Sequence, residues 1–232
     1  MKTGVLSDDQ ISTLMDQGAI SASTAFETGQ VQPASLDLRL GNRAYRVRAS
    51  FLAGRGQSVR SRLDQFTMHE IDLTDGAVLE KGCVYVVPLM ESLSLPQGMT
   101  AAASAKSSTG RLDLLTRIIT DNGVEFDRVP EGYVGPLFVE ICPRSFSVLV
   151  RPGLMLNQII FRNGKTFITD DELAMLHAAT PIVDGDAVIS DGLGFSVDLK
   201  PGSGDLVGYR AKPHTGVIDL DKLAHYDPAE FW

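Results

Sequence analysis

The residues best suited to chemistry lie between Ala105 and Glu140. Lys106-Ser107-Ser108-Thr109-Gly110-Arg111 sets two hydroxyls between two cations, with a glycine that lets the backbone bend. Hydroxyls, cations and backbone N–H groups all donate hydrogen bonds, and that composition suits phosphate oxygens. The spacing is not the Gly-x4-Gly-Lys-Ser/Thr of a P-loop. On residue types alone, a phosphate cradle and a solvated polar turn are equally good readings. Further on, Gly135-Pro136-Leu137-Phe138-Val139-Glu140-Ile141 reads as a strand. Leu137, Val139 and Ile141 share one face, and Phe138 and Glu140 share the other. An acid beside an aromatic in an apolar strand has the setting of a general base or acid working near neutral pH. The competing reading is an edge-strand glutamate facing water. An anion binder and an isolated carboxylate in one segment together point to a nucleotide site with a general base.

The rest of the chain supplies elements to hold these groups. Ser7 to about Gly18 predicts a helix, with Ser7 as N-cap, Asp8 and Asp9 in the first turn, and Ile11, Leu14 and Met15 on one face. Gln32 to Gly41 alternates as a half-buried strand, with Leu36, Leu38 and Leu40 inward and Ser35, Asp37 and Arg39 outward. Asp37 and Arg39 are expected to pair with each other on the polar face. Residues 52 to 66, rich in Gly, Ser and Arg, read as a surface loop. Strands are expected at 69–73, 77–79 and 83–89, with short pieces at 92–96 and 100–104, and again at Leu114–Ile119, Gly135–Ile141, Phe146–Val150 and Gln158–Phe161. With 22 Gly and 11 Pro to make turns, many short strands mean an all-β sandwich or barrel.

Residues 170 to 178 predict a short helix, and a boundary follows at Ala179-Thr180-Pro181. The pattern then begins again. Gly194 to Lys200 echoes Pro33 to Arg39, Gly208-Tyr209-Arg210 echoes Ala44-Tyr45-Arg46, and Val217 to Leu220 echoes Glu70 to Leu73. The expectation is one domain over residues 1–178 and the start of a second, incomplete copy over 179–232. An incomplete copy would leave unpaired strand edges, so the natural polypeptide is expected to be longer.

Bulk properties exclude several classes. The 232-residue chain is 44% hydrophobic and 22% charged, ordinary for a globular protein. It has no apolar run of about eighteen residues, so no membrane span is expected. The N-terminus lacks the apolar core of a signal peptide. Cys83 and Cys142, far apart in strand-like segments, read as free thiols and suggest the cytoplasm. A net charge of −8 argues against general nucleic-acid binding. A triphosphate needs only local cations, and Lys106, Arg111, Arg117, Arg128 and Arg144 cluster in this part of the sequence.

Taken together, Gln32-Pro33-Ala34-Ser35-Leu36-Asp37-Leu38-Arg39-Leu40-Gly41, Lys106 to Leu112, Gly135-x4-Glu140, and Arg151-Pro152-Gly153 with Gln158 resemble the dCTP deaminases of the dUTPase-like superfamily. These landmarks run in the family's order from about residue 5 to 165. The two-copy layout is similar to the longer, tandem form of that enzyme. The resemblance implies a distorted β-barrel or jelly-roll-like fold with a few short helices, and a homo-oligomer with trimer-like packing of domains. It implies hydrolytic deamination of dCTP to dUTP and ammonia, with Glu140 activating the attacking water. Arg111 and Ser107 then match catalytic-site residues contributed from a neighbouring unit, contacting phosphate and helping to order water near the cytosine, with Lys106 and Ser108 in the same phosphate-binding motif. Asp127 matches an aspartate beside the deoxyribose and base, Thr120 is a further substrate-binding candidate, and Gln158 falls at a position near the triphosphate.

There are departures. Ala105-Lys106 stands where the family commonly has Pro-Arg, so the cation is a point charge rather than a fork. The segment from Thr120 to Gly132 is longer than in the short enzymes, and no counterpart of the family's closing tail is evident. Zinc deaminases carry His-x-Glu and Pro-Cys-x-x-Cys, whereas here His69 adjoins Glu70 and no Cys-x-x-Cys occurs. The chemistry is therefore expected without zinc, and Mg2+ is expected to arrive with the triphosphate. Two other readings stay open at this point. One is a dUTP pyrophosphatase or a bifunctional deaminase–pyrophosphatase, although no Gly-Tyr-Asp-type motif is clear. The other is a non-enzymatic nucleotide-binding regulator, against which the retention of both Glu140 and Arg111 speaks.

Overall fold

The computed structural model describes residues 3–201 and 204–232. Its frame is two six-stranded sheets. In the first, Arg128–Val129, Met99–Ala105, Met155–Asn163, Ser35–Arg39 and Val31–Gln32 lie side by side in that order, and Gly4–Val5 also pairs with Met155–Asn163. In the second the order is Leu114–Thr120, Val134–Pro143, Val84–Ser94, Arg43–Val47 and Thr67–Asp72, with Ile20–Ala22 also paired to Val84–Ser94. Every pairing within these two sheets is antiparallel. Inward residues of both sheets, among them Leu36, Leu38, Ile159 and Phe161 from one and Val87, Ile118, Val139 and Ile141 from the other, form one continuous buried cluster. The all-β class expected from the alternating pattern is the class observed.

The first helix spans Asp8–Asp16 behind Ser7, whose backbone N–H donates to Gln10 Oε1 at 3.0 Å, and it buries Ile11 and Leu14. Three expectations for the first 165 residues need correction. Residues 52–66 are not a surface loop, because Val59–Phe66 is a helix. Ser58 caps it, its Oγ accepting from the Ser61 N–H at 3.1 Å. Val59 and Leu63, one turn apart, are buried with Phe51 and Ala53 in a second apolar cluster. The pieces at 83–89 and 92–96 are largely one long strand, Val84–Ser94. The Ser35–Arg39 strand is covered on both faces, and Asp37 and Arg39 do not pair with each other. Arg39 donates from Nε to Glu91 Oε1 at 2.8 Å, Gln30 donates to the same oxygen at 2.8 Å, and Asp37 pairs with Lys106. The physical reason is general: a charge on a buried strand finds its partner on a neighbouring element, since i and i+2 on one strand share a face without touching.

Beyond residue 165 the chain is sparser in regular structure. Thr169 caps the helix Asp170–Ala179, exchanging hydrogen bonds with Glu172. Residues 194–200, the echo of the strand at 33–39, form no strand, and Phe195, Val197 and Leu199 are 78%, 80% and 77% exposed. A strand exists only in a ladder, and this stretch has no ladder partner among the described residues. The chain regains the frame at Ile218–Asp219, which lies parallel to Val148–Val150; Ala77–Leu79 pairs antiparallel with Val148–Val150 on its other side. That pairing differs from the segment it echoes, since Thr67–Asp72 pairs antiparallel with Arg43–Val47. Arg151 fastens the contact, with Nη1 2.7 Å from Asp219 and 2.6 Å from Asp221. Phe231 and Trp232 meet the Phe146 ring edge-on at 5.6 and 5.1 Å.

Candidate active site

Glu140 sits in the middle of Val134–Pro143, the second strand of its sheet, and is 2% exposed. Alternation divides the strand as its sequence suggests. Leu137, Val139 and Ile141 enter the main core, and Phe138 enters the second cluster with Val86, Ile119, Val59 and Leu63. Glu140 shares the Phe138 face, so the helix that replaces the expected loop covers the side on which the carboxylate lies. The register places Arg117 directly across from Glu140 on the neighbouring strand. Arg117 donates to Glu140 Oε1 from Nε at 3.1 Å and from Nη2 at 2.5 Å. The same Nη2 donates to Ser50 Oγ at 3.1 Å, and the guanidinium lies 3.7 Å from the centroid of the Phe126 ring. Glu140 Oε2 is buried and has no hydrogen-bond partner among the described residues. A buried carboxylate oxygen left bare is costly. The arrangement calls for a water or a ligand atom at Oε2.

Asp127 belongs to the same neighbourhood. It follows Phe126 in the segment between Thr120 and Val134, in a left-handed conformation at φ +61°. Its Oδ1 accepts from the Ile118 N–H at 2.7 Å, and its own N–H donates to the Ile118 carbonyl at 2.9 Å. Burial is the main influence on its carboxyl and raises the pKa above the usual value; the Ile118 hydrogen bond and the Arg117 charge pull the other way, and the Glu140 charge adds to the rise. Thr120, buried at the end of the Arg117 strand, has no hydrogen-bond partner for its hydroxyl among the described residues. Tyr133 braces this hairpin: its hydroxyl donates to the Pro136 carbonyl at 2.7 Å and accepts from the Asp121 N–H at 3.1 Å. Burial pushes the Tyr133 hydroxyl up to about 12. Gly135 has to be glycine here, since a Cβ would stand 2.7 Å from the Tyr133 oxygen.

The anion-binding candidates occupy a different setting. Ser107, Ser108 and Arg111 are exposed on the short helix Ser107–Arg111. The Lys106 N–H and the Thr109 hydroxyl, at 2.9 Å each, staple this helix to the Leu156 carbonyl. The side chains of Ser107, Ser108 and Arg111 carry no hydrogen bond or ion pair among the described residues. Arg111 borders an open cavity of about 660 Å³ with Tyr209 and Trp232. Lys106 is not free in the same way, because its ammonium pairs with the buried Asp37. Gln158 lies across from Ser104 and Asp37 in the first sheet, its amide 3.4 Å from the hydroxyls of Ser35 and Ser104.

Within one chain, then, Glu140 lies beside Arg117 and within electrostatic reach of Asp127, whose turn hydrogen-bonds to Ile118 of that sheet; Thr120 is on the same sheet but on its opposite, core-facing side, and Ser107, Ser108 and Arg111 line a separate surface with no hydrogen bond to these residues. From sequence Arg117 counts only as one of several local cations for a triphosphate, whereas the structure commits its guanidinium to Glu140; Ser50 and Phe126, which hold Arg117, are not site candidates from sequence. Only the hairpin register could have shown that Arg117 faces Glu140, because the alternation gives faces but not partners. Among the described residues no group of three or more His, Cys, Asp or Glu side chains is arranged to hold a metal ion, and no helix is long and apolar enough to cross a membrane.

Comparison with known proteins bears on this geometry. Residues 2–165 match the family model of the 2′-deoxycytidine 5′-triphosphate deaminase N-terminal domain, and residues 169–232 match that of the C-terminal domain. The crystal structure of 2′-deoxycytidine 5′-triphosphate deaminase from Agrobacterium tumefaciens is 50% identical. It superposes with a TM-score of 0.91 over 100% of this chain and 70% of that one. A dCTP deaminase of Actinobacillus succinogenes is 25% identical over 164 residues, covering 67% of this chain and 81% of its own length.

Proposed function

The chain belongs to the dCTP deaminase family, and from that premise we propose that it hydrolyses dCTP to dUTP and ammonia. The observation that carries the chemical side of this reading is Glu140, a buried carboxylate with one oxygen held by an arginine and the other bare. In the proposed step Oε2 takes a proton from a water as the water oxygen bonds to C4 of cytosine. The C4=N3 electron pair moves to N3, which takes the proton carried by Glu140; the remaining proton of the added oxygen passes to the amino nitrogen as the tetrahedral carbon collapses, the exocyclic C4–N4 bond breaks, and ammonia leaves a C4 carbonyl and a protonated N3 behind. A positioned base of this kind contributes on the order of 10²–10⁴ in rate. The remainder comes from orientation and from donors aimed at the developing charge.

The same reading assigns Ser107, Ser108 and Arg111 to the phosphates and Gln158 to their vicinity, with Lys106 contributing charge once released from Asp37. Thr120 and Asp127 border the sugar and base. Two observations support sharing of sites between chains in a homo-oligomer of trimer-like packing: Ser107 and Arg111 have free side chains, and they lie apart from Glu140. The substrate is dCTP with its own Mg2+, and no zinc is invoked, since the two cysteines, Cys83 just before one strand and Cys142 within another, have no zinc-ligand spacing. Residues 179–232 are read as the opening of a second unit, and the compartment as the cytoplasm. The test is to incubate the purified chain with Mg2+ and dCTP and to follow ammonia and dUTP. Formation of dUMP and pyrophosphate instead would favour a pyrophosphatase, and tight dCTP binding without turnover a regulator.

A further inference from the structure

Arg117 has the geometry of a device for orienting a base. Resting on the deaminase reading, we propose that Arg117 is a positioning residue that fixes which oxygen of Glu140 accepts the water proton, and that Ser50 and Phe126 hold Arg117 to that task. Three observations carry it. Two guanidinium nitrogens converge on Oε1 alone, at 3.1 and 2.5 Å, so that oxygen's lone pairs are engaged and Oε2 is left as the bare, basic atom. The guanidinium has little freedom to swing away, being bonded to Ser50 Oγ at 3.1 Å and stacked at 3.7 Å on Phe126. The pairing is written into the sheet, where Arg117 and Glu140 are direct cross-strand partners. The nearby Asp127 carboxylate lies within electrostatic reach of both groups.

The experiment compares Arg117→Gln, Arg117→Lys, Glu140→Gln and the double variant Arg117→Gln/Glu140→Gln in the full chain, with kcat and KM for dCTP and calorimetric dCTP binding. Arg117→Gln is expected to lower kcat by about 10²-fold, the scale of a misplaced reacting group. KM and binding should stay within about threefold, because the interaction acts on the reacting state. Arg117→Lys should recover part of the loss. The double variant should be no slower than Glu140→Gln alone, since the arginine works only through the glutamate; a purely structural role would multiply the two losses. Wild-type kcat in Arg117→Gln, or fully multiplicative losses, would overturn the proposal while leaving the deaminase reading intact. A wild-type chain that binds dCTP and releases no ammonia would overturn both. If Arg117→Gln fails to fold, Ser50→Ala and Phe126→Leu carry the test. Each loosens one anchor and should lower kcat several-fold at constant KM, and unchanged kcat in both would sink the idea.

Discussion

Glu140 and Arg111 belong to one stretch of the sequence and are opposites in setting. Glu140 is enclosed in a sheet, paired through the register to Arg117, and covered on its own face by Phe138 and the helix Val59–Phe66. Arg111 stands on a short surface helix tied to the frame through Lys106, Thr109 and Leu156, with its guanidinium free. The contrast teaches a division of labour. The group proposed to move a proton is held by the same interactions that hold the fold, while the groups proposed to grip phosphate are free to find an external partner. A proton-transfer atom has to be placed to a fraction of an ångström, and a charged phosphate tolerates a looser grip.

The largest effect that tests this contrast is at Glu140. Glu140→Gln keeps an oxygen for Arg117 and should lower turnover by about 10²–10⁴ while sparing dCTP binding; weaker binding with intact turnover in steady-state assays would reverse the assigned roles. Next is Arg111→Ala, expected to weaken dCTP affinity by roughly 10- to 100-fold, the worth of a charge-assisted hydrogen bond, with no change in melting temperature. At a dCTP concentration too low to saturate Arg111→Ala, mixing it with Glu140→Gln should then give more activity than the two variants sum to separately, if the two halves of a site come from different chains. No recovery on mixing would confine each site to one chain.

Smaller effects test the rigidity of the buried half. Tyr133→Phe strips the Asp121 N–H and the Pro136 carbonyl of a partner and should cost about 1–3 kcal/mol in denaturant unfolding, with a KM for dCTP close to wild type. Asp127→Asn should have the smallest effect and the most informative sign. Burial raises the Asp127 carboxyl above its usual 3.8, so the folded protein holds that proton more tightly than the unfolded chain does. Wild-type stability therefore falls as pH rises from the ordinary carboxylate value through the raised one. The Asn variant keeps the acceptor for Ile118 and the tolerance for φ +61° without the buried charge. It should melt at or about 2 °C above wild type at neutral pH, with the advantage vanishing on acidification. An advantage that grows in acid would contradict a raised Asp127 pKa.

These regions also differ in how far they could be read in advance. The strands from Leu114 to Phe161 and the two faces of the Glu140 strand follow from period-two alternation, which records burial residue by residue. The helix at Val59–Phe66 escaped because its surface is Arg and Ser. Its two informative features, Ser58 as a cap and Val59 with Leu63 one turn apart, are few beside the Gly-rich approach. Asp37 and Arg39 were assigned to each other because sequence shows neighbours along a strand, whereas their partners Lys106 and Glu91 come from elsewhere in the chain. For the same reason Arg117 is legible in sequence as a cation and not as the partner of Glu140. The strand-like pattern at residues 194–200 does not form a strand, because alternation records a capacity for pairing and not the presence of a partner.

The cross-strand pair of Arg117 and Glu140 sets different rules for change on its two sides. Between Thr120 and Val134 the chain leaves the Glu140 sheet and gives Arg128–Val129 to the other one, and residues added at the exposed Val124 enlarge a loop at the modest entropic cost of a longer closure. Such lengthening leaves the pair opposed, so this segment can drift in size over evolutionary time and still serve one chemistry. A single residue inserted at Ile118 or Val139 has no such freedom. It would rotate everything beyond it to the opposite face and send a carboxylate into the hydrocarbon interior, so indels in this hairpin should be found at its tip and not along its arms.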